Sequence, residues 1–407
     1  MLKALIGMIC IGALSYGAYA LVDEVDAQVE QVEVNGNESV EAAQFAPLSF
    51  SQRDALVGGI DFLVSHQNED GSFGTPLKRR PADIYLGGIN SLHAFHNATS
   101  ALCAMALLEQ PYSTPEREAA LVKAYQFLID AREVGRVSSD TFYNSWTHAY
   151  MLEAIARGLQ DGRLQPQHEA LRARGQDELR RLIRLQSLNG GWGYYDFREK
   201  LGTPSGDYST PFNTSAAIEA MRAARKVGFE IPQAVLDRAV AFVGTLRTPY
   251  NSFSYSAGHR YYPYGAPNKP QGSIGRTQLP MYVLIDGGAE GVGVEDASYV
   301  LNDFFKLHHF IEIGRQRQYP HEAWYATAPY YYYHGHYGAS RILRVLPHEE
   351  RVQGARKLAN LIAITADNDG CFWDYPLYGF HKAYGTAYAV LALTECAAAE
   401  AEAVVSR

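Results

Sequence analysis

Two kinds of helix alternate along this chain from Asp54 onward, and the alternation limits the fold more than any other feature. The first kind is amphipathic. In "DALVGGIDFLVSHQ" the apolar stripe is Leu56, Ile60, Leu63 and Val64, with Gln67 on the same line; in "DELRRLIRLQ" it is Leu179, Leu182 and Ile183, ending in Gln186. "AALVKAYQFLIDA" and "VLDRAVAFVGTL" read the same way, the latter opened by Pro232, which suits a first helical position. The second kind is apolar nearly all round and rich in small residues: "NATSALCAMALL", "TSAAIEAM" and "GTAYAVLAL". A helix without a polar face must be enclosed on both sides. Asn97 with Thr99, Asn213 with Thr214, and Gly385 with Thr386 read as the starts of these helices, where a side-chain oxygen caps orphan N–H groups.

Paired in order, the helices predict six hairpins, at residues 54–110, 116–165, 169–228, 231–289, 295–346 and 349–398. An open stack of helical repeats needs polar terminal caps. The final helix, "AYGTAYAVLALTECAA", is as apolar as the internal ones. The expectation is therefore an all-α protein whose hairpins close into a ring, with amphipathic helices outside and apolar helices inside.

The turns between the two kinds of helix share a grammar of polar residue, glycine and aromatic, as in "SHQNEDGSFG", "RLQSLNGGWGYYDF" and "TADNDGCFWDY". This grammar resembles the glutamine-tryptophan repeats of the squalene cyclase and protein prenyltransferase superfamily. The resemblance spans residues 49–400 and implies an α/α toroid, an (α/α)6 barrel of six hairpins around a central cavity. It also implies that Gln67 and Gln186 tie down the glycine turns and that Phe73, Trp192 and Trp373 pack between repeats. "YATAPYYYYHGHYGASRIL" and "GSIGRTQLPMYVL" resemble segments of exported bacterial proteins of this repeat group.

The net charge is -8 over 407 residues, and the only basic runs are "LKRRP" and "RRLIR", which excludes a nucleic-acid footprint. Residues 1–22 carry Lys3, an uncharged apolar run from Ala4 to Val22 and the small-x-small site Ala18-Tyr19-Ala20, which reads as a signal peptide or an N-terminal membrane anchor. Residues 23–48 hold Asp23, Glu24, Asp26, Glu30, Glu33, Glu38 and Glu41 with no Lys or Arg, a solvated acidic linker. An exported location is expected. Beyond the leader, Cys103, Cys371 and Cys396 are too few for a disulfide framework.

All outer-to-inner connections emerge at one end of such a ring, so their residues converge on a mouth. Trp192, Tyr194, Tyr195, Tyr262, Trp324, Tyr331, Tyr332 and Tyr384 are the expected ligand contacts, and His334, His336, Asp196, Asp374 and Arg276 the candidate catalytic groups. The resemblance implies no cyclase chemistry, because the Asp-x-Asp-Asp and Asp-Asp-x-x-Asp motifs are absent. Nor does it imply a zinc prenyltransferase. Asp369-Gly370-Cys371 falls in a glycine turn, and Tyr384-Gly385-Thr386 stands where that family has Tyr-His-Thr. His334 and His336, two apart, point in nearly opposite directions on a helix unless Gly335 breaks it, so neither a metal nor a cofactor is expected.

The ligand is expected to be a small molecule, either a lipid or terpenoid or an oligosaccharide, in an aromatic cavity. A sugar-active enzyme on this fold would use Asp196 and Asp374 as a carboxylate pair, or Tyr332 and His334 with Arg276. A non-catalytic partner-binding module is the third reading, since no serine-histidine-aspartate spacing, phosphate loop or nucleophilic-cysteine signature is present. Catalysis stays open at the level of sequence.

Overall fold

Among the described residues twelve helices of nine residues or more carry the architecture, alternating as the hydrophobic pattern requires. A computed structural model describes residues 50–76, 89–134, 144–194, 208–321 and 325–405, all within one unit, Phe45–Arg407. The leader, the acidic linker, Tyr195, Asp196 and Trp324 lie outside the described residues. The outer helices are α1 (Phe50–Ser65), α3 (Pro115–Asp130), α5 (His168–Arg184), α7 (Gln233–Thr245), α9 (Val294–Lys306) and α11 (His348–Ala363). The inner ones are α2 (Ile89–Glu109), α4 (Ser145–Gly158), α6 (Pro211–Lys226), α8 (Gln278–Asp286), α10 (Tyr332–Leu343) and α12 (His381–Val405).

Each inner helix touches the next inner helix, and α12 returns to both α1 and α2, so the ring closes. The expected α/α toroid is what the chain forms. The stripe residues Leu56, Ile60, Leu63, Leu179 and Leu182 face the inner ring and are buried. α4 is buried along nearly its whole length, as a helix with no wet face must be. Packing adds a detail: inner helices lean chiefly on the outer helix that follows them across a short link, α4 on α5 for instance, whereas α12 packs on α11 before it as well as on α1. Among the described residues no helix is long and apolar enough to cross a membrane.

The turns show what the recurring motif does. Gln186 Nε2 donates to the carbonyls of Gly190 and Val235, both at 2.9 Å, tying its own turn to the next outer helix. Gln67 repeats this with Gly71 at 3.1 Å and Ala120 at 2.9 Å. Gly71, Gly190 and Gly370 have φ of 90°, 92° and 80°, the left-handed region where a side chain is strained. A Cβ on Gly190 would also lie 2.5 Å from the Arg238 carbonyl oxygen. A fourth turn, at Arg247 to Phe253, escapes the motif because Arg247 stands for glutamine and Asn251, φ 56°, for glycine.

Two expectations change. The aromatic in register in the last repeat is Phe372, not Trp373: Phe372 is fully buried, whereas Trp373 is half-buried and donates its indole N–H to Asp367 at 2.8 Å. Thr214 and Thr386, read as helix caps, do another job. Backbone N–H groups of Trp192 and Phe372 donate to Thr214 Oγ1 (2.9 Å) and Thr386 Oγ1 (2.9 Å), and that of Phe73 to Ser100 Oγ (3.0 Å) beside Thr99, all inside inner helices that start earlier than expected. A turn buried against an apolar helix needs an acceptor there, and a β-hydroxyl supplies it without opening the helix. The cap of α6 is Thr210, which accepts from Asn213 N, with Pro211 at the first position.

Candidate functional site

Hairpin topology sets all six inner helices parallel, with their N-termini at one end of the ring, and a cavity of about 340 Å³ opens there. Its wall is aromatic: eight tyrosines (150, 194, 255, 330, 331, 375, 384 and 388), with Trp146, Phe95, His321 and His334. Aliphatic contacts come from Ala98, Leu102, Pro320 and Leu377, and Thr99 completes the wall. No Asp, Glu, Lys or Arg lines it among the described residues.

The tyrosine hydroxyls are spent on one another. Tyr150 and Tyr388 meet across the ring at 2.5 Å, and Tyr194 holds Tyr331 at 2.5 Å and Tyr255 at 3.2 Å. A two-stranded ribbon, β1 (Trp192–Gly193) against β2 (Ser209–Thr210), brings Tyr194 to this position. Burial pushes the phenols of Tyr150, Tyr194, Tyr331, Tyr384 and Tyr388 well above their ordinary pKa, so the wall is uncharged.

His334 is the exception to this mutual pairing. Its Nδ1–H donates to the Gly275 carbonyl at 3.0 Å, which leaves Nε2 as the lone-pair nitrogen. That Nε2 is buried in the cavity wall with no hydrogen-bond partner. Burial holds the imidazole down to about 4; the Gly275 hydrogen bond opposes the shift and the Arg276 charge adds to it. Glycines make the contact possible. A Cβ on Gly335 would lie 2.8 Å from Gly275 Cα, so two bare backbones must meet for the carbonyl to reach the ring. The unusual "GSIGR" and "YYHGHYG" segments are the two sides of this one junction.

Two expected groups sit behind the wall. Asp374 is fully buried, accepts the Tyr384 hydroxyl at 2.6 Å and the Tyr333 N–H at 3.3 Å, and is pushed up to about 7 by burial against the pull of those donors. Arg276 lies over the rings of Tyr255 (4.8 Å) and Tyr331 (5.6 Å) on the side away from the cavity and donates to the Pro267 carbonyl. Its Nη1 is buried without a partner, and no carboxylate pairs with it among the described residues.

Other expected residues are elsewhere. α10 runs unbroken through Gly335, so His336 points away from the cavity, its Nδ1 on the Tyr332 carbonyl at 2.8 Å and its Nε2 at 3.0 Å from His308 Nε2. Burial, reinforced by His308, drives its pKa well below 6.5. Tyr332 packs against that pair rather than on the cavity. Trp192 is fully buried with its indole on the Leu182 carbonyl at 2.7 Å, a packing position outside the cavity. Tyr262 is 72% exposed on a loop. Of the thirteen residues expected from sequence, His334, Tyr194, Tyr331 and Tyr384 share the cavity. Asp367, Asp369 and Cys371 bring ligand atoms within 4.8 Å of one another, but Lys382 occupies Asp369 and Trp373 occupies Asp367.

Below the aromatic layer the ring has a charged floor. Arg341 pairs with Glu219 at 2.8 Å and lies 3.9 and 3.7 Å from Glu153 and Glu395; Arg157 bonds Glu109 and Glu153; Arg344 pairs with Glu395 at 2.5 Å. Burial alone would raise Glu109 and Glu219, but the arginines beside them hold both below the usual carboxylate value. Glu395 is seven residues past Tyr388 on α12, about 10 Å deeper at 1.5 Å per residue. Tyr337 separates floor from cavity, 5.4 Å from the Tyr388 ring and 3.5 Å from Arg157. The cavity is blind. Sequence reasoning missed this floor, although a lone Glu or Arg in each of several apolar helices was its signal.

No family model and no curated protein matches the sequence. Solved structures do. Cellobiose 2-epimerase from Spirochaeta thermophila is 13% identical with a TM-score of 0.55, covering 88% of this chain and 100% of its own. An inactive variant of the α-1,6-mannanase GH76A of Salegentibacter is 11% identical with a TM-score of 0.51, covering 86% and 99%. Type II terpene cyclase MstE from Scytonema is 13% identical at a TM-score of 0.48, covering 86% and 99%. The fold is an α/α toroid. At such identities these likenesses extend to the architecture alone.

Proposed function

We propose that this chain binds a small molecule with an apolar or ring-shaped body in its central cavity. The observation that carries the reading is a blind pocket of about 340 Å³ walled by eight tyrosines, a tryptophan and a phenylalanine, with no charged side chain among the described residues. That size falls near the lower end of ordinary small-molecule sites. Burying an apolar ligand against aromatic faces is favourable at about 25 cal/mol per Å² of surface removed from water. No reaction is assigned.

A sugar ligand, suggested by the names of the epimerase and the mannanase, finds aromatic faces here, but among the described residues no carboxylate lines the wall and Asp374 behind it is shielded by Tyr384. Glycoside hydrolysis asks for two carboxylates flanking the bond. The apolar reading is therefore preferred. Native mass spectrometry with solvent extraction of the purified protein tests it: a stoichiometric lipid or ring compound is expected, and recovery of an oligosaccharide instead would overturn it. Titration with farnesol, followed by quenching of Trp146 in the cavity wall, should saturate, while cellobiose and mannotriose should leave the signal unchanged.

Export belongs to the same proposal, supported by Lys3 followed by the uncharged run from Ala4 to Val22 and by the acidic segment behind it. Cell fractionation with N-terminal sequencing is the check. A cytosolic chain beginning at Met1 would remove this part of the reading.

A further inference from the structure

The wall of the cavity is mostly apolar surface but carries polar atoms that are largely paired, and an unpaired nitrogen among them indicates what a ligand can bring. Tyrosine hydroxyls bond one another, Tyr384 bonds Asp374, and His321 is held between the Ala326 carbonyl and the Tyr330 hydroxyl at 2.7 and 3.1 Å. Among the described residues one cavity-lining nitrogen has no partner, His334 Nε2. We infer that His334 Nε2 accepts a hydrogen bond from the ligand, so that this site selects molecules whose apolar body carries a hydroxyl or N–H donor. The inference rests on the apolar-ligand reading and names a polar group that such a ligand carries.

Three features make Nε2 an acceptor that a ligand can use. The tautomer is set by the Gly275 carbonyl, which occupies Nδ1–H and cannot take a proton itself. The ring is held by the aromatics around it, with Trp146, Phe212, Tyr331 and Tyr388 at centroid distances of 6.4, 6.3, 6.1 and 5.9 Å. His334 is 3% exposed, so a lone pair left there is denied bulk water. A buried acceptor with no donor carries a desolvation penalty that a correctly placed hydroxyl removes, and a matched ligand lacking the donor does not. A bound water would need several polar partners of its own, and the neighbouring hydroxyls are engaged with each other.

The test uses the full chain and three matched probes, 2-naphthol, 2-methoxynaphthalene and naphthalene, titrated by calorimetry near neutral pH. 2-Naphthol should bind at least ~10-fold tighter than the other two. In His334→Phe, where an aromatic of similar size replaces the imidazole, the preference should shrink to about 2-fold or less while naphthalene still binds. Equal binding of all three probes to the unmodified protein overturns the inference and leaves the apolar pocket standing. A preference that persists undiminished in folded His334→Phe also overturns it, because another group would then be the acceptor. If none of the probes binds, the apolar-ligand reading fails and takes the inference with it. The unmodified protein alone decides the first comparison, so the test does not depend on the variant folding.

Discussion

Replacing Gln186 with Ala tests whether the turn glutamines hold the ring together. The side chain is buried and its amide satisfies two carbonyls, Gly190 within the turn and Val235 on the next outer helix, while Arg238 donates back to Gln186 Oε1. Truncation leaves two buried acceptors unmet, each worth about 1–3 kcal/mol, so the expected loss is about 2–6 kcal/mol. For a chain of this size that corresponds to a fall in Tm of roughly 4–12 °C, at about 2 °C per kcal/mol. Gln67 makes the same two bonds from a half-buried turn where water can substitute, so Gln67→Ala should cost about 1–2 kcal/mol. Urea unfolding of both variants, with calorimetry in parallel, measures the difference. A Gln186→Ala protein within about 0.5 kcal/mol of the parent, or a larger loss at Gln67, refutes the reasoning.

Phe372→Ala should cost about 3–5 kcal/mol and Trp373→Ala clearly less, because only the former is fully buried; thermal unfolding in the reverse order would restore Trp373 as the packing residue. Gly335→Ala places a Cβ 2.8 Å from Gly275 Cα, so α10 must shift; stability should fall by about 1–3 kcal/mol and 2-naphthol affinity should fall with it, read by urea unfolding and calorimetry. Acid should destabilise the protein. His96, His308 and His334 are held at about 4 and His336 well below 6.5, mainly by burial, so their stabilisation is complete above 6.5 and is lost as pH falls from 6.5 towards 4, about 3 kcal/mol for each of the first three. Asp374, raised from 3.8 to about 7, works the other way and regains about 4 kcal/mol as pH falls through the same window. The histidines outweigh it, so urea midpoints should drop between pH 6.5 and 4.5; a rise would show that they are not buried neutral.

The alternation of half-apolar with wholly apolar helices is readable from sequence because each kind of helix buries a different share of its surface, and burial is what hydrophobic pattern records. Hairpin limits follow to within a few residues, except where a buried Thr or Ser looks like a cap. Thr214 and Thr386 carry a capping residue's hydroxyl but use it to receive the N–H of a neighbouring turn, and one-dimensional pattern does not separate the two roles. The cavity was harder to read. Loop tyrosines such as Tyr194 and Tyr331 drew attention by composition, whereas Trp146, Tyr150 and Tyr388 sit inside apolar helices, where an aromatic reads as packing. Trp146 with Tyr150 and Tyr384 with Tyr388 are four apart, one face of a helix, and that spacing was the available signal. His334 and His336 separate for the same reason, since two residues turn a helix by about 200°.

The distribution of charge along the ring axis explains why a neutral ligand suits this protein. The floor sets three arginines among four glutamates so that each ion meets an opposite charge below Tyr337. At the mouth Arg276 lies behind Tyr255 and Tyr331, with no carboxylate paired to it among the described residues. Its charge disfavours protonation of the histidines it reaches, His259, His321 and His334, in each case after burial itself. A cation that keeps its neighbours neutral serves hydrogen bonding rather than ion pairing, because it preserves the lone pair on His334 Nε2 at the pH where the phenols around it still hold their protons. Wall, floor and mouth therefore work in one direction: among the described residues charge is paired or set behind aromatic rings, and the unpartnered nitrogen that faces a guest is an acceptor, His334 Nε2.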